Sequence, residues 1–255
     1  IIKTEPKNKK EIVRNLKNDK IYVTKTNTPK NPQYKLYISR EINILIRIQH
    51  ETMVPFRGFS YIDFDKRNNL TILMDYMKNG SLANFIQNGI HDKCPEFTPT
   101  IRQIILIGIA RGMMLLHKLN VIHRDLKPDN ILLDSNLHPH ITDFGLSKFF
   151  DKNKATEQTQ SGLGTLLYMA PEVMDDSIFD IKADVYSFGI LMYEVVTGKS
   201  AFGHLGNISA LKLYEKVKNG ARPIIKKGTV KQKGLRVMMK MCWDKNPSKR
   251  PSFSE

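Results

Sequence analysis

Eight residues, HRDLKPDN from His123 to Asn130, set a histidine, an arginine, two aspartates, a lysine and an asparagine between the apolar pairs Val121-Ile122 and Ile131-Leu132. An aspartate held on a loop between apolar anchors can accept a proton from an incoming hydroxyl, and an asparagine with a second aspartate can supply oxygen ligands to Mg²⁺. Asp125, Asn130 and Asp143 are the candidates, the last in ITDFG thirteen residues beyond Asn130. Phosphoryl transfer needs such parts. Taken singly, HRD or DFG is equally well a turn with a hydrogen-bonded aspartate, so the signal lies in the set and its order.

These residues need a frame to bring them together. EIVRNL (11–16) and KIYVTKT (20–26) flank the polar turn KNDK and read as a hairpin, with β-branched and aromatic residues in both strands. In YKLYISREINILIRIQ, Ile38, Ile42, Leu45 and Ile46 recur at helical spacing, which predicts an amphipathic helix from about Tyr34 to Gln49. VPFRGFSYI and NLTILMDYM follow as strand-like runs. After KNGSL (78–82) the character changes: Thr98-Pro99 reads as a cap with proline at the first helical position, opening a helix to about Leu119. A second apolar helix covers DVYSFGILMYEVV (184–196) and ends at Thr197-Gly198. The pattern is a small β-rich lobe over about 1–77 and a larger helical lobe over about 78–255, hinged near Tyr76 to Gly80. No repeat or low-complexity tract appears. The long aperiodic stretch, 146–168, lies between ITDFG and MAPE, and loops of that length are usually functional or disordered.

The 255 residues, 41% hydrophobic, suffice for a full core. The longest apolar run, IILIGIA (104–110), is shorter than the roughly 20 residues of a membrane-spanning helix, so no transmembrane segment is expected, and no signal-peptide pattern opens the chain. Cys94 and Cys242 stand far apart without metal-ligand neighbours. No disulfide framework follows, and a reducing intracellular, cytoplasmic setting fits. The net charge of +15 is uneven: residues 1–40 hold eleven Lys/Arg against three Asp/Glu, and 212–250 hold thirteen against two. Neither basic stretch has a nucleic-acid-binding signature, so a solvated lysine-rich exterior is the simpler reading.

In this order, HRDLKPDN, DFG, GTLLYMAPE (164–172) and DVYSFG (184–189) resemble the eukaryotic protein kinase family. NGSL, YSFGILMYEVVTGKSAF and MCWDKNPSKRPSF look most like its tyrosine-kinase-like group of Ser/Thr kinases. The resemblance covers nearly the whole chain. It implies an α+β, two-lobed kinase fold, transfer of the γ-phosphate of Mg-ATP, and protein substrates rather than nucleic acid. Carried over by residue, Asp125 becomes the catalytic base, Lys127 a γ-phosphate contact, and Asn130 and Asp143 the Mg²⁺ ligands. Lys25 would contact the α and β phosphates and pair with Glu41, sixteen residues on. Val23, Leu132 and the hinge residues Asp75 to Met77 would hold the adenine, with Met74 as gatekeeper. For Val23, Leu132 and Met74, packing in the core is compatible with that role, because nucleotide clefts are mostly apolar. His123, Phe144, Leu45 and Phe56 match the apolar column that couples the lobes, and Glu172 with Arg250 a structural ion pair. Lys127 and Thr165 favour a serine or threonine substrate, and Arg124 suggests activation by phosphorylation at Thr156, Thr159 or Ser161, by an upstream kinase or by the chain itself.

One motif is missing. Kinases carry GxGxxG about seventeen residues before the strand lysine, and KTEPKN (3–8) stands there; no glycine precedes Gly58. The chain looks like a domain truncated at both ends, so a boundary effect and degeneration of the loop are both open. Two functions follow: an active Ser/Thr kinase, or a pseudokinase acting as a scaffolding module with weak nucleotide binding.

Overall fold

The computed structural model describes residues 10–15, 17–27, 32–90, 95–149, 166–176 and 180–255. The expected hairpin forms as β1 (Lys10–Arg14) paired with β2 (Ile21–Asn27). With β3 (Phe56–Ser60) and β4 (Leu70–Asp75) it makes an antiparallel sheet in the order β1-β2-β4-β3. The register sets Val23 opposite Met74 and Lys25 opposite Ile72. Alternate residues of a strand share a face. Val23 and Lys25 therefore point one way, while Thr24 between them is 1% exposed.

Helix α1 (Pro32–Arg47) lies about two residues N-terminal of its expected span at both ends. Ile38, Ile42 and Leu45 are buried as expected; Ile46 is 48% exposed, and Ile44 and Ile48 are buried instead. The inward stripe is thus 38, 42, 45 and 48, with Glu41 in its midst at 3% exposure.

Past the sheet come α2 (Leu82–Ile90) and α3 (Pro99–Lys118). Thr98 caps α3 by accepting from the Ile101 N–H at 3.3 Å, with Pro99 in the first turn, as the sequence indicates. Short strands β5 (Val121–Ile122), β6 (Ile131–Leu133), β7 (Pro139–Ile141) and β8 (Lys148–Phe149) follow, paired β5 with β8 and β6 with β7. Helices α4 (Pro171–Asp176), α5 (Ile181–Thr197), α6 (Ala210–Lys218) and α7 (Lys233–Cys242) complete the described elements of regular length. The carboxylate of Asp180 caps α5, and Gly198 closes it in the left-handed region (φ 67°). Every residue from Ala183 to Val195 is buried, which is why that helix shows an apolar run rather than an amphipathic period.

Helix α3 bears on the expectation about membrane-length segments. By length and composition this helix is apolar enough to cross a bilayer, which the length of a single uninterrupted run understates. Its inner face packs as a core helix does: Ile105, Ile109, Met113 and Leu116 are fully buried. At Gly108 a Cβ would lie 2.5 Å from the Pro139 ring, and at Gly112 2.7 Å from Ile141. Glycine at both positions lets α3 touch β7 and fixes the strand that leads into Asp143.

Candidate active site

The HRDLKPDN segment is held from beneath by one carboxylate. Asp184, in the first turn of α5, accepts the backbone N–H groups of His123 and Arg124, each at 2.9 Å, and lies 2.9 Å from His117 Nε2. Arg124 is in the left-handed region (φ 70°), an unfavourable conformation for such a residue that needs external restraint. Asp184 supplies it. Burial would raise this carboxyl, but His117, together with His123 and its backbone N–H, outweighs it, so the group lies below the usual aspartate range. Within DVYSFG this aspartate shows only as an acidic residue opening an otherwise apolar helix; its task beneath the loop comes from the fold.

Within the loop, Asp125 Oδ2 receives Lys127 Nζ at 2.7 Å and Asn130 Nδ2 at 2.8 Å. Asn130 Nδ2 also donates to the Asp125 carbonyl at 2.8 Å. Two acceptors facing one amide nitrogen fix which way that amide points. Its oxygen is turned away from Asp125. With both donors on Oδ2, Oδ1 is the atom oriented to receive a proton. The short helical turn Pro128–Asn130, with proline at its start, carries Asn130 into place.

Asp143 belongs to the next strand pair. The Thr142 N–H donates to the Asn130 carbonyl at 3.0 Å, so the two candidate metal ligands are tied through the backbone. Asp143 itself is left-handed (φ 66°, ψ 67°), a region aspartate enters more readily than most side chains. Phe144 beside it meets the His123 ring edge-on at 5.4 Å, and His123 Nε2 contacts the Thr142 carbonyl at 3.1 Å. Ser147 Oγ donates to the His123 carbonyl at 3.0 Å, a further anchor the sequence did not signal. Leu45 is buried and Phe56 partly buried against the same core, Phe56 opposite Met74.

From the sheet, Lys25 Nζ reaches Glu41 at 2.7 and 3.0 Å and Asp143 Oδ1 at 2.9 Å. Burial alone would push this ammonium down, yet the two carboxylates beside it hold it above the ordinary lysine value. One cation thereby joins strand β2, helix α1 and the Asp143 turn. Val23 and Leu132 are half-buried, and Met74 and Met77 are buried. The stretch after β4 is laced to β6: Asn79 N–H donates to the Leu133 carbonyl at 3.1 Å and Leu133 N–H to the Gly80 carbonyl at 2.9 Å. Asp75, the first of the expected hinge residues, has its side chain engaged. Its carboxylate takes Arg57 Nε at 2.6 Å and Nη2 at 2.5 Å, and its N–H donates to the Pro55 carbonyl.

Arg250 is fully buried, and its guanidinium meets Glu172 at 2.6 and 2.9 Å, as the motif reading has it. Thr156, Thr159, Ser161, Thr165, Cys94 and the stretch 3–8 lie outside the described residues.

The donor set suits Mg²⁺ beside a nucleotide. Asn130 offers an amide oxygen and Asp143 a carboxylate, hard donors that Mg²⁺ takes together with phosphate oxygens and water. Among the described residues no group of three or more His, Cys, Asp and Glu could hold an ion by itself.

Asp184→Ala is expected to lower stability by about 3 kcal/mol, because two buried N–H groups lose their acceptor, and to lower turnover more than nucleotide affinity. The depressed carboxyl contributes stability that is present above the unfolded aspartate value and is lost as pH falls through the lower folded one. Denaturant unfolding between pH 3 and pH 7 reads this: the gap between wild type and variant should narrow on acidification.

The chain matches the family model for protein tyrosine and serine/threonine kinases over residues 7–255. It is 34% identical, over 86% of its length, to receptor-interacting serine/threonine-protein kinase 3 of Rattus norvegicus, covering 47% of that protein. It is 32% identical to cysteine-rich receptor-like protein kinase 38 of Arabidopsis thaliana (87% of this chain, 35% of that one). It is 34% identical to dual specificity protein kinase shkC of Dictyostelium discoideum (85% and 41%). The chain spans less than half the length of each of these relatives.

Proposed function

From the premise that this chain belongs to the protein tyrosine and serine/threonine kinase family, we propose that it transfers the γ-phosphoryl group of Mg-ATP to serine or threonine hydroxyls of proteins. The observation that carries the reading is the linked set Lys25, Glu41 and Asp143 beside Asp125, Lys127 and Asn130, with separations of 2.7–3.0 Å within each half. Asp125 Oδ1 accepts the proton of the substrate hydroxyl, and Lys127 neutralises the carboxylate's other oxygen and reaches toward the transferred group. Lys25, held by Glu41, meets the α and β phosphates. Asn130 and Asp143 would hold Mg²⁺, which when bound offsets the charge on the phosphates. Val23, Met74, Leu132 and the 75–77 backbone enclose the adenine.

Choice of hydroxyl rests on Lys127 and Thr165, and a relative named as dual specificity leaves tyrosine as an outcome for phosphoamino-acid analysis to detect. Buried, unpaired Cys242 supports a reducing cytoplasmic setting. Phosphorylation at Thr156, Thr159 or Ser161 is expected to raise activity, because the added charge can be drawn to the cationic Arg124 next to the proposed base. Mass spectrometry of fully active protein should find one of the three modified; an unmodified segment in that preparation would contradict this.

A pseudokinase reading is favoured by one feature, KTEPKN in place of the glycine motif. Proline there lacks an N–H, and no residue has glycine's freedom to bring the backbone close to phosphate. The lysines offer side-chain charge instead. ATP affinity is therefore expected to be weaker than that of kinases with the glycine motif and to fall as salt rises, while adenosine affinity stays constant. Matched titrations at low and high ionic strength check this; tight, salt-insensitive ATP binding would refute it. Turnover with a generic protein substrate separates the two functions.

A further inference from the structure

We propose that a cleft in the helical part of the molecule, between the turns following α5 and those following α6, binds a phosphomonoester group. The cavity is about 260 Å³ and is lined by Lys199, Ser200 and His204 on one side and by Lys226 and Thr229 on the other, over a floor of Tyr193 and Ile224.

Two turns build it, and each brings up one lysine and one hydroxyl. In the first, Gly203 N–H donates to the Ser200 carbonyl at 3.2 Å, which sets Ser200 beside Lys199 at the rim. In the second, Thr229 N–H donates to the Lys226 carbonyl at 3.2 Å, with Gly228 in the left-handed region (φ 85°), so Lys226 and Thr229 close the same wall. Tyr193 Oη donates to the Ile224 carbonyl at 3.2 Å and ties the floor to helix α5. The frame is thus held by bonds to backbone carbonyls, and among the described residues the side chains of Lys199, Ser200, Lys226 and Thr229 make no hydrogen bond or ion pair.

Charge points to the ligand class. From Val195 to Trp243 the chain has eleven Lys/Arg and one acidic residue, Glu215, and no carboxylate lines the cleft among the described residues. Arg222, the nearest arginine in sequence, is consumed by the carbonyls of Val217, Ala221 and Trp243. Among the described residues, Lys199 and Lys226 make no side-chain ion pair. Two ammonium groups, an imidazole and two hydroxyls around one recess suit a doubly charged oxyanion, which takes several charge-assisted hydrogen bonds at once. The apolar floor suits the carbon that carries the ester. An uncharged ligand would leave the cations unused, and a carboxylate would satisfy fewer donors.

The site is independent of the transfer chemistry, so it can stand or fall by itself. The test follows the amide resonances of Ser200, Gly203, His204 and Thr229 in ¹⁵N-labelled protein during titration with inorganic phosphate, a phosphoserine peptide and the same peptide unphosphorylated. Saturable shifts at these amides are expected with the first two and not the third. The exposed pair Lys199→Ala/Lys226→Ala should weaken binding at least tenfold with an unchanged melting temperature. Phosphoserine peptide binding tighter than inorganic phosphate would identify a phosphorylated side chain as the source, and equal affinity a free phosphate or small ester; either upholds the site. Absence of cleft shifts overturns it. So would equal weakening by Lys212→Ala/Lys240→Ala, which would mean a diffuse basic surface only.

Discussion

Asp125→Asn is expected to lower turnover by about 10²–10⁴-fold, the range of general-base contributions, with ATP affinity nearly unchanged. The asparagine keeps an oxygen for Lys127 Nζ and Asn130 Nδ2, which reach Asp125 at 2.7 and 2.8 Å, so the loop should retain its shape. What is lost is the oxygen that takes the proton. The proposed nucleotide and metal contacts lie elsewhere, on Lys25, Asn130 and Asp143, and this is why the loss should appear in turnover. Steady-state kinetics with parallel ATP titrations check it, and wild-type turnover in the variant would remove Asp125 from the role of base.

Asp143→Asn and Lys25→Met should both weaken nucleotide binding and turnover, but with different dependence on metal. In its proposed role Asp143 gives a charged oxygen to the ion, and replacing it by a neutral amide should remove most of the gain in ATP affinity that Mg²⁺ provides. Lys25 pairs with the two carboxylates 2.7 and 2.9 Å away and is proposed to meet phosphate. Methionine at this site leaves buried Glu41 without its cation, a loss of about 3 kcal/mol or more in comparable buried pairs, and should loosen helix α1. Its weakening of ATP binding should be equal with and without Mg²⁺. Titrations in EDTA and in excess Mg²⁺ separate the variants. Indistinguishable metal dependence would contradict both assignments, and a melting curve of Lys25→Met checks the cost at Glu41.

Much of this site was legible in the sequence because its parts are local or periodic. HRDLKPDN and DFG carry their chemistry within a few residues, and the sixteen-residue gap from Lys25 to Glu41 spans one strand and one helix whose patterns are plain. The ion pair joining them forms as expected, and so does the pair between Glu172 and Arg250, 78 residues apart. Helix ends were readable where a cap marked them, at Thr98 and at Gly198. Less legible was anything set by packing across the chain. Ile46 fits the helical period but faces solvent, because the buried stripe runs through 38, 42, 45 and 48, with Ile44 buried beside it. Asp184 lies 61 residues from the His123 N–H it accepts, and an acidic residue opening an apolar helix is its one local mark. Nor does the sequence signal that the Asp75 carboxylate pairs with Arg57, 18 residues earlier.

The central claim is that the cluster around Asp125 and Asp143 moves phosphate from ATP to a protein hydroxyl. It is tested most directly by incubating the protein with γ-³²P-labelled ATP, Mg²⁺ and a generic Ser/Thr protein substrate, with Asp125→Asn alongside. Label on phosphoserine or phosphothreonine, dependent on Mg²⁺ and absent with the variant, is the expected outcome. Nucleotide bound in the cleft by a folded protein, with no label transferred above the Asp125→Asn level, would contradict it.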